Sequence, residues 1–430
     1  MTLTVSIEIN GVQKEIGCIA GTAPEDARFS YSKNYLLSSD ACAISINLPL
    51  KEEAFTVKDT RAFFEGLLPE GFTRHTVAGW LNVDESNYLL LLKYLGCECL
   101  GAIKVFDEAE GQTEPNLSYE KLSSSDMLSL AKDGALKTAE FAAESRLSLA
   151  GASGKTGLMY HNNEWYLPKG DAPSTHIIKQ SHVRFNDIVV NEMLCQRTAE
   201  KLGISVPQSF IIKPEPEKPE QVLFASKRFD RFISDSSKTV EGIKVPFRLH
   251  QEDFAQAMGV LASAKYENDP SQQFLKKMFN IIKNNSMNPL EDQLLLWDRI
   301  VFNYLIGNTD CHIKNFSLIY SADLKTIRLA PCYDTICTTI YNGTTNNMAF
   351  NIGGKYDIQK INKDDFEKAA LECGLGVSIA MKHFDEMQYN FKDAISSAAS
   401  DLIAPIEQAS RSEAAAMMQR FCEKFELFEK

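Results

Sequence analysis

The sequence predicts an α+β protein of two lobes, strand-rich and then helix-rich, with a small α+β module in front of them. Three observations carry this reading. Short apolar runs of strand type, separated by turn residues, fill residues 146–231; apolar residues at helical spacing dominate from Glu252 onward. Residues 1–106 mix both patterns and end at an acidic, turn-rich stretch, DEAEGQTEPNLSYEKLSSS, over 107–125. The expected units are therefore 1–106, a lobe-connecting segment 107–145, a strand lobe and its exit over 146–231, and a helical lobe over 232–430.

In the first module, Leu3–Ile9, Lys14–Ala20, Arg28–Tyr31, Ala43–Leu48 and Ala102–Phe106 read as strands. Helices are expected near Thr60–Glu65, Glu70–Leu81 and Glu85–Leu95, with Phe63, Phe64, Trp80 and Leu90 to Leu92 in the core, where large apolar side chains are most often found. A helix near Ser124–Asp133 follows. Gly157–Tyr160 and Glu164–Leu167 flank His161-Asn162-Asn163, a hairpin signal because Asn tolerates the left-handed backbone of tight turns. His176–Lys179 is a further strand, and Asn191–Leu202 a helix stopped by Gly203. Strands Ser209–Lys213 and Val222–Ser226 enclose a Pro- and Glu-rich turn. Helices are then predicted near Asp253–Gly259, Ser271–Asn284, Pro289–Ile306, Lys363–Cys373, Gly376–Ala398 and Ser412–Phe425.

With 430 residues, 44% apolar and 24% charged, the chain can bury sizeable cores. A net charge of -12 argues against the whole chain acting as a free-standing nucleic-acid binder, which needs a basic surface. Ten cysteines show no C-x2-C spacing and seven histidines no i, i+4 pairing, so neither a zinc site nor a disulfide framework is indicated. There is no signal-peptide pattern at Met1 and no run of membrane-spanning length, which predicts a cytoplasmic protein with no membrane partner.

The chemistry is concentrated in Asn308-Thr309-Asp310-Cys311-His312-Ile313-Lys314-Asn315. An Asp followed five residues later by an Asn is the spacing of a kinase catalytic loop: Asp310 as base, Asn315 as magnesium ligand, and Asp334 in Pro331-Cys332-Tyr333-Asp334 as the second ligand. Upstream, Gly151-Ala152-Ser153-Gly154-Lys155-Thr156 is not a Walker A loop, because Leu149 stands where that motif needs Gly. It remains a small-residue loop whose amides can approach phosphate. Lys179 closes a strand about 25 residues later, the position of a phosphate-contacting lysine. Glu192 could pair with Lys179, or Asn191-Glu192 could cap the helix start. Lys227-Arg228-Phe229-Asp230-Arg231 lies where an adenine-contacting hinge belongs, although its charges could equally form structural bridges. His312 can order the catalytic loop, and Lys314 can neutralise a transferring phosphoryl group.

These segments, RLSLAGASGKTGL at 146, LPKGDAPSTHIIK at 167, KRFDR at 227, LHQEDFAQ at 249, NTDCHIKNFS at 308 and PCYDTI at 331, together resemble the HipA family of serine/threonine kinase toxins; FFEGLLPEG at 63 extends the likeness to the first module. The resemblance implies a HipA-type, protein-kinase-like fold that uses ATP and Mg2+. It implies Asp310 as catalytic base, Asn315 and Asp334 as metal ligands, Lys179 as the ATP lysine, residues 150 to 155 (Ala150, Gly151, Ala152, Ser153, Gly154 and Lys155) as the nucleotide loop, and Lys227, Arg228 and Phe229 as the hinge. His312 and Lys314 complete the expected nucleotide site. Ser148 matches the position at which such kinases phosphorylate and silence themselves; hydrogen bonding to its own backbone is the competing expectation. Two departures stand out: Ser153-Gly154 replaces a common Gln-Glu, and Cys311 replaces a usual Gly.

The same resemblance implies a toxin that stops growth by phosphorylating an aminoacyl-tRNA synthetase, glutamyl-tRNA synthetase being the family's best-known target. Its partner would be a HipB-like helix-turn-helix antitoxin, with operator DNA reached only through that complex. A small-molecule or lipid phosphotransferase of the same fold, or a catalytically weak co-repressor subunit, are the alternatives.

Overall fold

Four antiparallel strands, β1 (Thr2–Ile9), β2 (Val12–Ala20), β3 (Arg28–Tyr31) and β4 (Ile103–Asp107), form a sheet in the order β3-β2-β1-β4 at the start of the chain. The computed structural model describes residues 1–107, 117–150, 154–180, 185, 187–215 and 221–403. Gly151, Ala152, Ser153 and the helix predicted at Ser412–Phe425 lie outside the described residues. Asn10 and Gly11, with φ of 51° and 76°, turn β1 into β2. A one-turn helix α1 (Lys33–Leu36) and helices α2 (Val57–Phe64), α3 (Gly71–Leu81) and α4 (Tyr88–Leu95) accompany the sheet.

Phe63, Phe64, Leu91 and Leu92 are buried as predicted, each contributing about 1.5–3 kcal/mol of burial, while Leu90 is only half-buried. Trp80, predicted to be core, is 54% exposed. It stands in the last turn of α3, beyond the buried residues Thr73, Val77 and Ala78. The strand predicted over Ala43–Leu48 is also absent: the segment keeps only a Ser45–Leu48 bridge, because the carboxylate of Glu252 holds the Ser45 hydroxyl (2.6 Å) and the Ile46 amide (3.0 Å).

The strand lobe is a six-stranded antiparallel sheet, β5-β7-β6-β8-β10-β9, built from β5 (Leu117–Lys121), β6 (Lys155–His161), β7 (Glu164–Gly170), β8 (His176–Gln180), β9 (Ser209–Ile212) and β10 (Leu223–Lys227). Asn162 and Asn163, both at positive φ, make the predicted hairpin turn. The stretch expected to cross between modules supplies a strand of this sheet, since β5 pairs with β7. The following helix α5 (Ser124–Glu144) runs well past the predicted Asp133, with non-helical backbone at Gly134. Ser123 caps its start in a capping box with Asp126. Helix α6 (Ile188–Lys201) packs Val189 and Met193 against Val222 and Phe224.

The helical lobe contains α7 (Phe254–Met258), α8 (Phe274–Asn285), α9 (Pro289–Leu305), α10 (Lys363–Glu372) and α11 (Val377–Ile403) around a core that includes Trp297, Phe302 and Phe366. The indole of Trp297 donates to the carbonyl oxygen of Ala380 at 2.9 Å, tying α9 to α11. This core is continuous with that of the N-terminal module, whereas the strand lobe keeps separate small clusters. Helix α11 reaches back to α6, where Lys201 pairs with Asp401 at 2.8 Å. The module and the helical lobe thus form one packed body, with the strand lobe laid against it and a cleft between.

Candidate active site

Asp310 is placed by a loop whose backbone is locked from within. The Asn308 side chain accepts from the Asp310 amide (3.0 Å) and donates to Asn303 on α9 (2.7 Å). Thr309 bonds through its amide to the Thr338 hydroxyl at 2.8 Å, and that hydroxyl donates in turn to the carbonyl oxygen of Gly307. The side-chain amide of Asn315 donates to the Asp310 carbonyl oxygen at 2.8 Å, closing the five-residue loop. Cys311 is buried at ordinary negative φ, so the absence of Gly there strains nothing.

Across the cleft, Lys179 at the end of β8 is held between two carboxylates: Glu192 on α6 at 2.6 Å and Asp334 at 2.7 Å. Burial works against the Lys179 charge, but Asp334 and Glu192 outweigh it and keep the ammonium protonated. Burial likewise opposes the Asp334 charge, and Lys179 with Lys155 hold that carboxyl well below the usual range. Asp334 adopts φ 57°, a left-handed conformation uncommon for a non-glycine residue and typical of strained functional positions. Asp310 differs: burial pushes its carboxyl up, partly offset by a hydrogen bond from the Tyr266 hydroxyl. His312 is neutral, its pKa pulled down by burial and by nearby Lys265.

These groups line a cavity of about 320 Å³, within the range of small-molecule and cofactor sites. Ala150, Lys155, Lys179, Lys227, Arg228, Phe229, Asp310, His312, Lys314, Asn315 and Asp334 all reach it. Phe229 stacks on Tyr333 at 5.8 Å, giving one wall an aromatic character. Gly154 and Ser148 are not among the lining residues. Ser148 is fully buried; its hydroxyl donates to the Leu67 carbonyl oxygen at 2.7 Å and its amide to Glu98 at 2.8 Å. That bond reaches into the N-terminal module instead of the residue's own backbone.

The hinge charges Arg228, Asp230 and Arg231 resolve into structural bridges. All five N–H groups of Arg228 are engaged, to Asp230, Glu98, the Ser174 hydroxyl and the Cys99 carbonyl oxygen. Its guanidinium is therefore unavailable to a ligand, although the residue lines the cavity. Lys314 is similarly engaged, donating to Asp253 (2.6 Å) and to the Gly66 carbonyl oxygen (3.1 Å).

The geometry fits a nucleotide with a hard divalent cation. Asp334 and Asn315 could offer side-chain oxygens to such a cation, the small set expected where phosphates and water complete magnesium coordination. No cluster of three or more His, Cys, Asp or Glu able to hold a metal occurs among the described residues. Two wall atoms, His312 Nδ1 and Gln196 Oε1, are buried with no hydrogen-bond partner among the described residues, as groups awaiting a polar ligand would be.

Residues 7–106 match the family model of the HipA N-terminal domain, and residues 147–395 that of the HipA-like C-terminal domain. The chain belongs to the HipA family. It is 31% identical over 377 residues to "Putative kinase Y4mE" of Sinorhizobium fredii, covering 86% of each chain. Against the serine/threonine-protein kinase toxin HipA of Shewanella oneidensis it is 26% identical over 389 residues, 87% of this chain and 84% of that one. A chain in the solved complex of HipA, HipB and operator DNA from Shewanella oneidensis MR-1 matches with a TM-score of 0.80 at 22% identity, covering 98% of this chain and 97% of that chain. The fold is therefore the HipA-type, two-lobed kinase-like fold.

Several residues of this HipA site escaped sequence reasoning. Gly66 and Leu67, from the FFEGLLPEG segment, form cavity wall although they belong to the first module. Asp253 both caps α7 and holds Lys314. Tyr266 sits in an aperiodic loop, where an aromatic residue between Lys265 and Glu267 was the only available signal.

Proposed function

We propose that this chain is an ATP- and magnesium-dependent serine/threonine-protein kinase, acting as the toxin of a HipA/HipB-like module. The observation that carries the reading is the pairing of Lys179 with Glu192 and Asp334 across a nucleotide-sized cavity from Asp310 and Asn315. Family membership and relatives named as kinases support phosphoryl transfer. In this reading Lys179 and Lys155 hold the triphosphate, and Phe229 with Tyr333 flanks the base. Asp310 accepts the proton of the attacking hydroxyl, and Lys314 stands beside the transferred group. Bound magnesium, held by Asn315 and Asp334, would neutralise charge on the phosphates.

The acceptor is proposed to be a protein of translation, an aminoacyl-tRNA synthetase such as glutamyl-tRNA synthetase. A HipB-like antitoxin would carry the chain to operator DNA as co-repressor, all within the cytoplasm. The kinship to a HipA that has been solved with HipB and operator DNA supports the partner. Self-inactivation is proposed at Ser148. It requires the 146–150 segment to leave Leu67 and Glu98, and a phosphate of charge about -1.5 to -2 could not return to that buried place. Purified chain incubated with ATP and magnesium, followed by intact-mass and peptide mass spectrometry, tests both steps. Transfer to protein hydroxyls with phosphate on Ser148 is expected; no transfer to any acceptor would end the kinase reading.

A further inference from the structure

The loop tripeptide Lys265-Tyr266-Glu267 has each of its side chains anchored to a different part of the molecule. Glu267 is buried and accepts from the Phe274 amide (2.8 Å) with one oxygen, and from the Asn351 amide (2.8 Å) and side chain (2.6 Å) with the other. Lys265 pairs at 2.8 Å with Glu70 of the N-terminal module. Glu70 begins α3 without capping it; its carboxylate turns toward Lys265 and stands 3.7 Å from Lys314. Between these anchors, the Tyr266 hydroxyl donates to Asp310 Oδ1, and the ring meets His312 edge-on at 5.2 Å.

A carboxylate has two oxygens, and a base that must meet an acceptor hydroxyl needs only one of them. With Oδ1 taken by Tyr266, the Asp310 carboxylate is fixed in rotation and Oδ2 is left for the acceptor. We propose that Tyr266 is a positioning residue for Asp310, and that the N-terminal module contributes to phosphoryl transfer by holding it there through Glu70 and Lys265. The inference rests on the kinase reading above. A swinging cap over the base is the rival account, and the anchors on both sides of Tyr266 argue against it, since a cap must move aside for substrate.

The test uses the full chain with radiolabelled ATP and magnesium, measuring transfer to the chain itself and to water at saturating nucleotide. Tyr266→Phe, which removes only an oxygen, should lower turnover by at least about 10-fold while the KM for ATP and the thermal midpoint stay at wild-type values. Lys265→Met should lower turnover in the same sense but less, and the double variant should be no slower than Tyr266→Phe alone, because both changes act through one hydroxyl. Turnover of Tyr266→Phe equal to or above wild type would overturn the proposal, as would phosphate found on Tyr266 itself. If the wild-type chain transfers phosphate neither to itself nor to water, the kinase reading falls and this inference with it.

Discussion

Two clusters of acids and bases, built from the same residue types, behave differently because one is closed and the other open. Around Glu98, three guanidinium groups, Arg228, Arg231 and Arg248, meet Glu98, Asp230 and Glu8, three charges against three. Burial opposes the Glu98 charge, yet the three arginines outweigh it and bring its pKa down to about 2. The cluster joins the N-terminal module to the hinge. Around Asp334 and Asp310 the charges are also paired, but each keeps an edge on a cavity. Charge ringed by counter-charge makes structure; charge with a cavity beside it makes a site.

The comparison breaks most sharply at Asp310. Asp310→Asn should lower turnover by about 10²–10⁴-fold without changing the thermal midpoint, because the amide keeps shape but accepts no proton. Comparing single-turnover transfer with calorimetric unfolding of the same sample would check both halves. In the closed cluster the order inverts. Glu98→Ala leaves three buried arginines short of a charge and should destabilise the fold by about 3–5 kcal/mol in urea unfolding, with every cavity group still present.

A third carboxylate sharpens the contrast through pH. Glu252 is buried between the first module and the helical lobe, bonded to Ser45, Ile46 and Tyr320, with no cation among those partners. Burial pushes its pKa from 4.5 up to about 7. The folded state then holds a proton that the unfolded chain releases, so this contribution is complete below about pH 4.5 and is lost as pH rises through about 7. The loss is on the order of 3 kcal/mol. Glu252→Gln should flatten that part of the stability–pH curve; an unchanged slope would show that Glu252 is not its source.

Lys179→Ala should abolish the stabilisation that saturating ATP and magnesium confer, about 2–3 kcal/mol at a hundredfold excess over Kd, as read by thermal shift. Unchanged calorimetric affinity would remove Lys179 from the nucleotide site. The smallest effect belongs to Trp80. Trp80→Ala, at 54% exposure, should change stability by no more than about 0.5 kcal/mol in urea unfolding, whereas a buried Trp would cost about 3–5.

Local signals in the sequence carried far. The hairpin at Asn162-Asn163, the strand ending in Lys179 and the Asp310-to-Asn315 spacing are properties of a few neighbouring residues, so propensity and motif suffice to find them. What needed the fold were pairings over long separations. Asp334 meets Lys179 from 155 residues away and Arg228 meets Glu98 from 130, so whether a hinge arginine serves a ligand or a bridge depends on partners no window contains. Trp80 is exposed although it is a large apolar residue on a helix, and β5 emerged from a polar stretch because β7 offered it an edge. By itself the sequence determined most of the longer elements, their order and the Asp310-to-Asn315 motif, since backbone preference and residue type act locally. Only the tertiary structure decided which charges were closed into the Glu98 cluster, which faced the cavity, and that Tyr266 stands on Asp310, because burial and ion pairing depend on distance in space and not along the chain.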